Sequence, residues 1–200
     1  MKSASYRPEG FIDRLKDNKH ILMLYDNEKS ADSIVARYFT EGFKKGGSCI
    51  FFTDVDPASI RKRFANQGLD VGKYEKDSRL RIFEIPTSND RKVNALEALK
   101  TMTAETTKGM KPPFRFVGRT ITNIESVEGM VQGMKLEKIG NDHFEEFDIS
   151  LLCYYDIRKL ERSKREQWIK GLIENHNSLI YASSEGKAVA FETALLEQAD

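Results

Sequence analysis

The sequence predicts an α/β fold, a mostly parallel central sheet flanked by helices. Three observations carry that expectation. First, short apolar runs recur along the chain and are continuous rather than alternating, among them HILMLYD at His20–Asp26 and SLIYA at Ser178–Ala182. A strand buried on both faces reads this way. Second, segments with helical spacing of apolar residues separate these runs, and strands alternating with helices build βαβ units. Third, the punctuation fits: Gly46-Gly47 precedes one apolar run and Asp56-Pro57 follows it.

Residues 1–19 are mostly polar, and a short helix from Pro8 would place Phe11, Ile12 and Leu15 on one side. His20–Asp26 is the first strand. After it, Ala31, Ile34, Val35, Tyr38, Phe39 and Phe43 recur at helical spacing. Gly46-Gly47 stops that helix. Cys49–Thr53 is the second strand. Asp56 suits an N-cap and Pro57 the first helical position, so a helix follows that buries Ile60 and Phe64. Leu80–Ile85 is the third strand and Pro86–Asp90 a loop. Val93, Leu96 and Leu99 mark the next helix. Phe114–Thr120 is the fourth strand, and Val127, Met130, Val131 and Met134 mark a helix beyond it. Asp148–Tyr155 is the fifth strand. A charged helix over Leu160–Glu174 buries Trp168 and Leu172, with Ile169 beside them. Ser178–Ala182 is the sixth strand, and Ala188–Leu196 is compatible with strand or helix. No repeat or linker interrupts this pattern, so a single domain over residues 1–200 is expected, with its core at about 18–182.

Composition narrows the function. Thirty-two basic and 31 acidic residues leave a net charge of +1, which gives no field to gather nucleic acid or anionic membrane. Lys159, Arg162, Lys164 and Arg165 form a basic stretch, but Glu161 and Glu166 dilute it, and it reads as a solvated face. No apolar run reaches the roughly 18–20 residues of a membrane-spanning helix. The opening MKSASYRPEGF lacks the apolar core of a secretory signal. Cys49 and Cys153 sit inside apolar runs and read as reduced thiols of a cytoplasmic protein.

Residues 38–86 run helix end, buried strand, turn, short helix, strand. That order resembles the RecA-like core of KaiC-type ATPases. The chemistry of such an ATPase is missing. A phosphate-binding loop needs G-x-x-x-x-G-K-[ST] after the first strand, so that backbone N–H groups wrap the phosphates. Here that place holds Tyr25-Asp26-Asn27-Glu28-Lys29-Ser30-Ala31, with no glycine and two carboxylates. The strand end that would offer a metal-holding aspartate offers Gly118 and Arg119 instead. No G-x-S-x-G, H-E-x-x-H or C-x-x-C is present, and the spacing of His20, His143 and His176 matches no metal motif. The sequence therefore reads as non-catalytic, with no cofactor and no metal site.

Ligands of parallel α/β sheets sit at the C-terminal ends of strands. That rule selects Tyr25, Asp26, Asp54, Arg119, Cys153, Tyr155 and Asp156 as candidate ligand-binding residues. In LLCYYD, alternation puts Cys153 and Tyr155 on one face and Tyr154 on the other. Cys153 and Tyr155 either line a small pocket at the sheet's C-terminal edge or are plain core. Arg119 either pairs with Asp26 or Asp156 or holds an anionic ligand. His20 opens the first strand at the opposite, N-terminal edge, where a structural role is expected.

The segments HILMLYD, ADSIVARYFTEGFKKGGSCIFFTDVDPASIRKRFANQGLDV, RLRIFEI, FRFVGR and LLCYYDIRKL together resemble the MEDS sensory domain of methanogens and methylotrophs. The shared features are the His-led first strand at His20, the turn Thr53-Asp54-Val55-Asp56-Pro57, and the strand end Cys153-Tyr154-Tyr155-Asp156. The resemblance implies a degenerate RecA/KaiC-like fold that senses small organic molecules, with His20, Cys153, Tyr155 and Asp156 as matched positions. A sensor must hand its signal to something, so a signalling protein partner is expected. A RecA-like interaction module, forming a homo-oligomer, and a residual nucleotide binder are the alternatives. In the RecA-like order the strand at Asp148–Tyr155 lies beside a central first strand.

Overall fold

A computed structural model describes residues 7–16, 18–85, 94–183 and 188–193. The strands are β1 (His20–Tyr25), β2 (Ser48–Thr53), β3 (Leu80–Glu84), β4 (Phe114–Gly118), β5 (Ile149–Asp156), β6 (Ser178–Ala182) and β7 (Val189–Glu192). The helices are α1 (Pro8–Asp13), α2 (Glu28–Lys44), α3 (Pro57–Asn66), α4 (Val71–Lys76), α5 (Ala95–Thr107), α6 (Val127–Asp142) and α7 (Arg165–Glu174). The strands form one sheet in the order β3-β2-β4-β5-β1-β6-β7. Every pairing is parallel except β6 with β7. β1 lies between β5 and β6, and Tyr25 pairs with Asp156, as the expected order requires.

Successive strand side chains point to opposite faces. One face carries Ile21, Met23, Cys49, Phe51, Val117, Leu152 and Ile180, covered by α1 to α4. The other carries Leu22, Leu24, Cys153, Tyr155 and Leu179, with Ile50, Phe52 and Phe116 further along the sheet, and is covered by α5, α6 and α7. The helices start where short polar side chains take up the unpaired N–H groups of the first turn. Asn27 accepts from Ser30 N, Asp56 from Ala58 N and Ser59 N, and Ser126 from Gly129 N.

Several expectations shift. The helix marked by Val127 and Val131 exists, but those two valines are 38% and 42% exposed. The buried stripe of α6 is Met130, Gly133 and Glu137. A Cβ on Gly133 would stand 2.4 Å from Ile121, so the helix turns its smallest residue, not its valines, towards the chain beneath. The charged helix begins at Arg165 rather than Leu160, and Leu160 is buried in the preceding loop. α4 was not anticipated; Asp70 caps it by accepting from Lys73 N. The tail resolves as strand β7. The loop at Pro86–Asp90, the marker Val93 and the tail beyond residue 193 lie outside the described residues.

Candidate functional site

Where an ATPase would hold phosphate, the chain turns from β1 into α2 through Asp26 and Asn27 alone. Asn27 spends its side-chain oxygen on Ser30 N at 2.9 Å. Tyr181 donates its hydroxyl to Asp26 Oδ2 at 3.2 Å. Arg63, reaching over from α3, pairs with Glu28 at 3.0 Å and Asp32 at 2.5 Å. The first turn of α2 is thus closed by the protein's own side chains.

The strand-end candidates disperse. Tyr25 stacks on Tyr154 with centroids 6.1 Å apart, on the α1–α4 face. Asp156 is buried and pairs with Arg158 at 2.6 Å. Arg119 pairs with Asp54, not with Asp26 or Asp156, because β4 ends closer to the loop after β2 than to β1. Arg119 keeps its Nε buried and without a hydrogen-bond partner among the described residues.

Beneath the sheet, between β2, β4 and β5 on one side and α5 and α6 on the other, lies a cavity of about 500 Å³. Its walls are mostly apolar, with Phe52, Phe116, Leu99 and Met102 among them. Arg119 and Thr120 line it from the C-terminal ends of the strands, and Phe147 and His20 from the N-terminal ends. Cys153 lines it from the middle of β5. The cavity therefore runs along a sheet face instead of opening only at the C-terminal edge. Tyr155 shares that face but is fully buried behind it.

His20 does not stand apart from Cys153, as its place at the start of β1 suggested. Its ring lies on the same face, and Nε2 is 3.5 Å from Cys153 Sγ. β1 is staggered against β5 so that His20 pairs with Leu151, two residues before Cys153. The imidazole spans that offset. Glu137 reaches in from α6 and His176 from the turn before β6. Glu137 Oε2 stands 3.9 Å from His20 Nε2 and 3.8 Å from His176 Nε2. The donor atoms of His20, Glu137, Cys153 and His176 all lie within 4.8 Å of one another, and all four residues are buried.

Outer contacts orient this cluster. His176 Nδ1 donates to Leu172 O at 2.6 Å, which leaves the Nε2 lone pair directed inward, and Nε2 has no hydrogen-bond partner among the described residues. His20 Nδ1 faces Asn141 Oδ1 at 3.5 Å, and its ring stacks on Phe144 at 4.8 Å. Tyr155 donates its hydroxyl to Glu137 Oε1. Burial sets the protonation states. It pushes the Glu137 carboxyl up to about 7, pulls His20 down to about 4 and His176 well below the usual range, and raises the Cys153 thiol. An ionised Glu137 oxygen would thus face two imidazole lone pairs with no proton between them.

Sequence reasoning missed Glu137 and His176. A faint signal existed for Glu137, since it falls seven residues after Met130 and three after Met134, on the apolar stripe of α6. His176 immediately precedes a strand, as His20 opens one, and β1 and β6 are neighbours. That adjacency is a property of the sheet order and cannot be read from spacing.

Among solved structures, the chain is similar to a KaiC-like protein from the hyperthermophilic archaeon Pyrococcus horikoshii OT3. The match has a TM-score of 0.60 at 16% identity and covers 84% of this chain and 73% of that one. A second Pyrococcus horikoshii OT3 protein matches with a TM-score of 0.60 at 11% identity, covering 90% of this chain and 89% of the other. These likenesses establish a RecA/KaiC-like fold. No curated protein sequence matches. The profile of the methanogen/methylotroph, DcmR sensory domain matches residues 19–187, and with that span covered the chain belongs to the MEDS family of sensory domains.

Proposed function

We propose that this domain is a non-catalytic sensor that binds a small organic molecule in the cavity under the sheet and passes its occupancy to a signalling protein partner. The observation that carries this reading is the cavity itself. It has the size of a small-molecule site, mostly apolar walls and a few convergent polar groups. Those groups are Arg119 with its unpartnered Nε at one end, Cys153 midway along, and His20 with Glu137 beyond it. The ligand class that fits is a compact apolar body with a polar head. Membership of a sensory family supports the regulatory role. The closed turn at Asp26-Asn27 speaks against nucleotide as the ligand. No helix among the described residues is long and apolar enough to cross a membrane. We read the buried free thiols Cys49 and Cys153 as those of a reducing, cytoplasmic setting. We read residues 1–200 as one such unit.

Gly140 supplies the test. It lines the cavity, and a Cβ built on it meets nothing within 4 Å. Gly140→Leu should project into the cavity, narrow it and keep the fold, since leucine also favours the helix. In a thermal-shift screen of small alcohols, amines, thiols and carboxylates, a true ligand at about 100 times its Kd stabilises by about 2.7 kcal/mol. For a chain of this size that is a rise of about 5–10 °C in Tm. The wild type should show it and Gly140→Leu should not. A ligand that shifts both proteins equally binds elsewhere, and a wild type unmoved by the whole panel defeats the reading.

A further inference from the structure

We propose that His20, Glu137, Cys153 and His176 form a binding site for one divalent transition-metal ion of the zinc class. The site forms the inner wall of the cavity described above, yet metal binding stands or falls without any organic ligand.

The geometry fits. With metal–nitrogen and metal–oxygen bonds of about 2.0–2.2 Å and a metal–sulfur bond of about 2.3 Å, tetrahedral ligands lie about 3.3–3.7 Å apart. Three of the six donor pairs stand at 3.5 Å (Cys153 Sγ to His20 Nε2), 3.9 Å (His20 to Glu137) and 3.8 Å (His176 to Glu137), and all four donors lie within 4.8 Å of one another. Small rotations of buried side chains close the remaining gap. The donor set is two imidazoles, a thiol and a carboxylate, which suits zinc, cobalt or ferrous iron and not calcium or magnesium, whose ligands are oxygens.

An independent observation points to a missing positive charge. His176 Nε2 is fully buried, directed into the cluster and without a hydrogen-bond partner among the described residues. Its Nδ1–H is committed to Leu172 O, so it offers a lone pair and no proton. Glu137 Oε2 faces that lone pair and, when ionised, offers only lone pairs of its own. A proton on the carboxyl satisfies one imidazole at a time. A divalent cation satisfies all four donors together. The charges then balance: the ion's two positive charges meet one thiolate and one carboxylate, and the buried site is neutral. On binding, Cys153 gives up its thiol proton to solvent, Glu137 gives up its proton where it holds one, and both histidines bind as neutral imidazoles. The outer contacts have the form that metal sites use. Leu172 O accepts from one histidine, Asn141 Oδ1 faces the other, and Tyr155 donates to the carboxylate.

The full chain, stripped with a chelator and dialysed free of it, is titrated with Co²⁺ and then Zn²⁺, with circular dichroism confirming the fold throughout. The expected result is one Co²⁺ per chain, with a thiolate-to-cobalt charge-transfer band and intense visible bands of a tetrahedral site. Zn²⁺ should bleach these bands and raise Tm. Cys153→Ser should lose the charge-transfer band. Tyr155→Phe keeps all four ligands, frees the Glu137 oxygen and leaves Ile121 N without its acceptor, and should weaken affinity by about 10-fold with the spectrum retained. A folded, stripped wild type that develops no such bands overturns the proposal. So does a Cys153→Ser protein with an unchanged cobalt spectrum. Should Cys153→Ser fail to fold, the wild-type spectrum and the Tyr155→Phe affinity decide.

Discussion

Replacing Glu137 by glutamine should make the metal-free protein more stable at neutral pH, and the gain should grow with pH. The carboxyl is fully buried, and burial pushes it from the ordinary 4.5 up to about 7. The native state therefore holds its proton more tightly than the unfolded chain does. Between those two values the native state binds more protons, so stability falls as pH rises through the window. Below about 4.5 both states are protonated and Glu137 costs nothing. Above about 7 both are ionised and the penalty is complete. A shift from 4.5 to about 7, at 1.36 kcal/mol per pH unit, amounts to about 3 kcal/mol. Glutamine carries no titrating proton. Its oxygen can still accept from Tyr155, and its amide can donate to the lone pairs of His20 and His176. The histidines titrate in the opposite sense. His20 is pulled down to about 4 and His176 well below its usual range, both by burial, so their penalty appears as pH falls below the usual 6.5. Both proteins share that term, and the difference between them isolates Glu137. The assay is urea denaturation of both proteins in chelator from about pH 4 to about pH 8, read as ΔG against pH. The gap in favour of Glu137→Gln should widen by about 3 kcal/mol across the range. A gap that stays flat would mean the carboxyl is not held in a cation-free, low-dielectric cluster, and the electrostatic account of the site would fail.

Substitutions at three other positions probe the frame around the site. Gly47→Ala should cost about 3 kcal/mol, since the added Cβ would stand 2.1 Å from the Pro113 carbonyl oxygen, and that backbone oxygen also accepts from Ser48 N; a urea midpoint equal to wild type would contradict it. Leu172→Ala should cost about 2–5 kcal/mol by opening a void between α7 and the sheet, where Leu172 is fully buried beside the carbonyl that orients His176; a loss below about 1 kcal/mol would show that the layer collapses around it. Arg115 is 1% exposed, donates Nη1 to Tyr38 O at 2.5 Å, lies over the Tyr38 ring, and leaves Nε and Nη2 without hydrogen-bond partners among the described residues. Arg115→Met should therefore leave stability within about 1 kcal/mol of wild type or raise it, whereas Arg115→Ala should lose about 2–5 kcal/mol; a methionine variant as damaged as the alanine one would show that the charge itself is required.

The fold was legible in the sequence because its evidence is local. Continuous apolar runs such as His20–Asp26 mark strands buried on both faces, and Asp56-Pro57 and Gly46-Gly47 start or stop helices by chemistry that needs no distant partner. The missing phosphate loop was legible for the same reason. Cys153 and Tyr155 could be placed on one face by alternation alone, and the structure puts both on the α5–α7 side. The site was not legible. Which strand end meets which loop depends on sheet order, so Arg119 found Asp54 rather than Asp26 or Asp156. The stagger between β1 and β5 carried His20 to Cys153, 133 residues away. The rotation of α6, set by Gly133 against Ile121, turned Glu137 inward and Val131 outward. Donors drawn from four separate elements leave no spacing to recognise. Local propensity dictates the elements, whereas a cluster of side chains is fixed by register, stagger and helix rotation, and these exist only once the layers have packed.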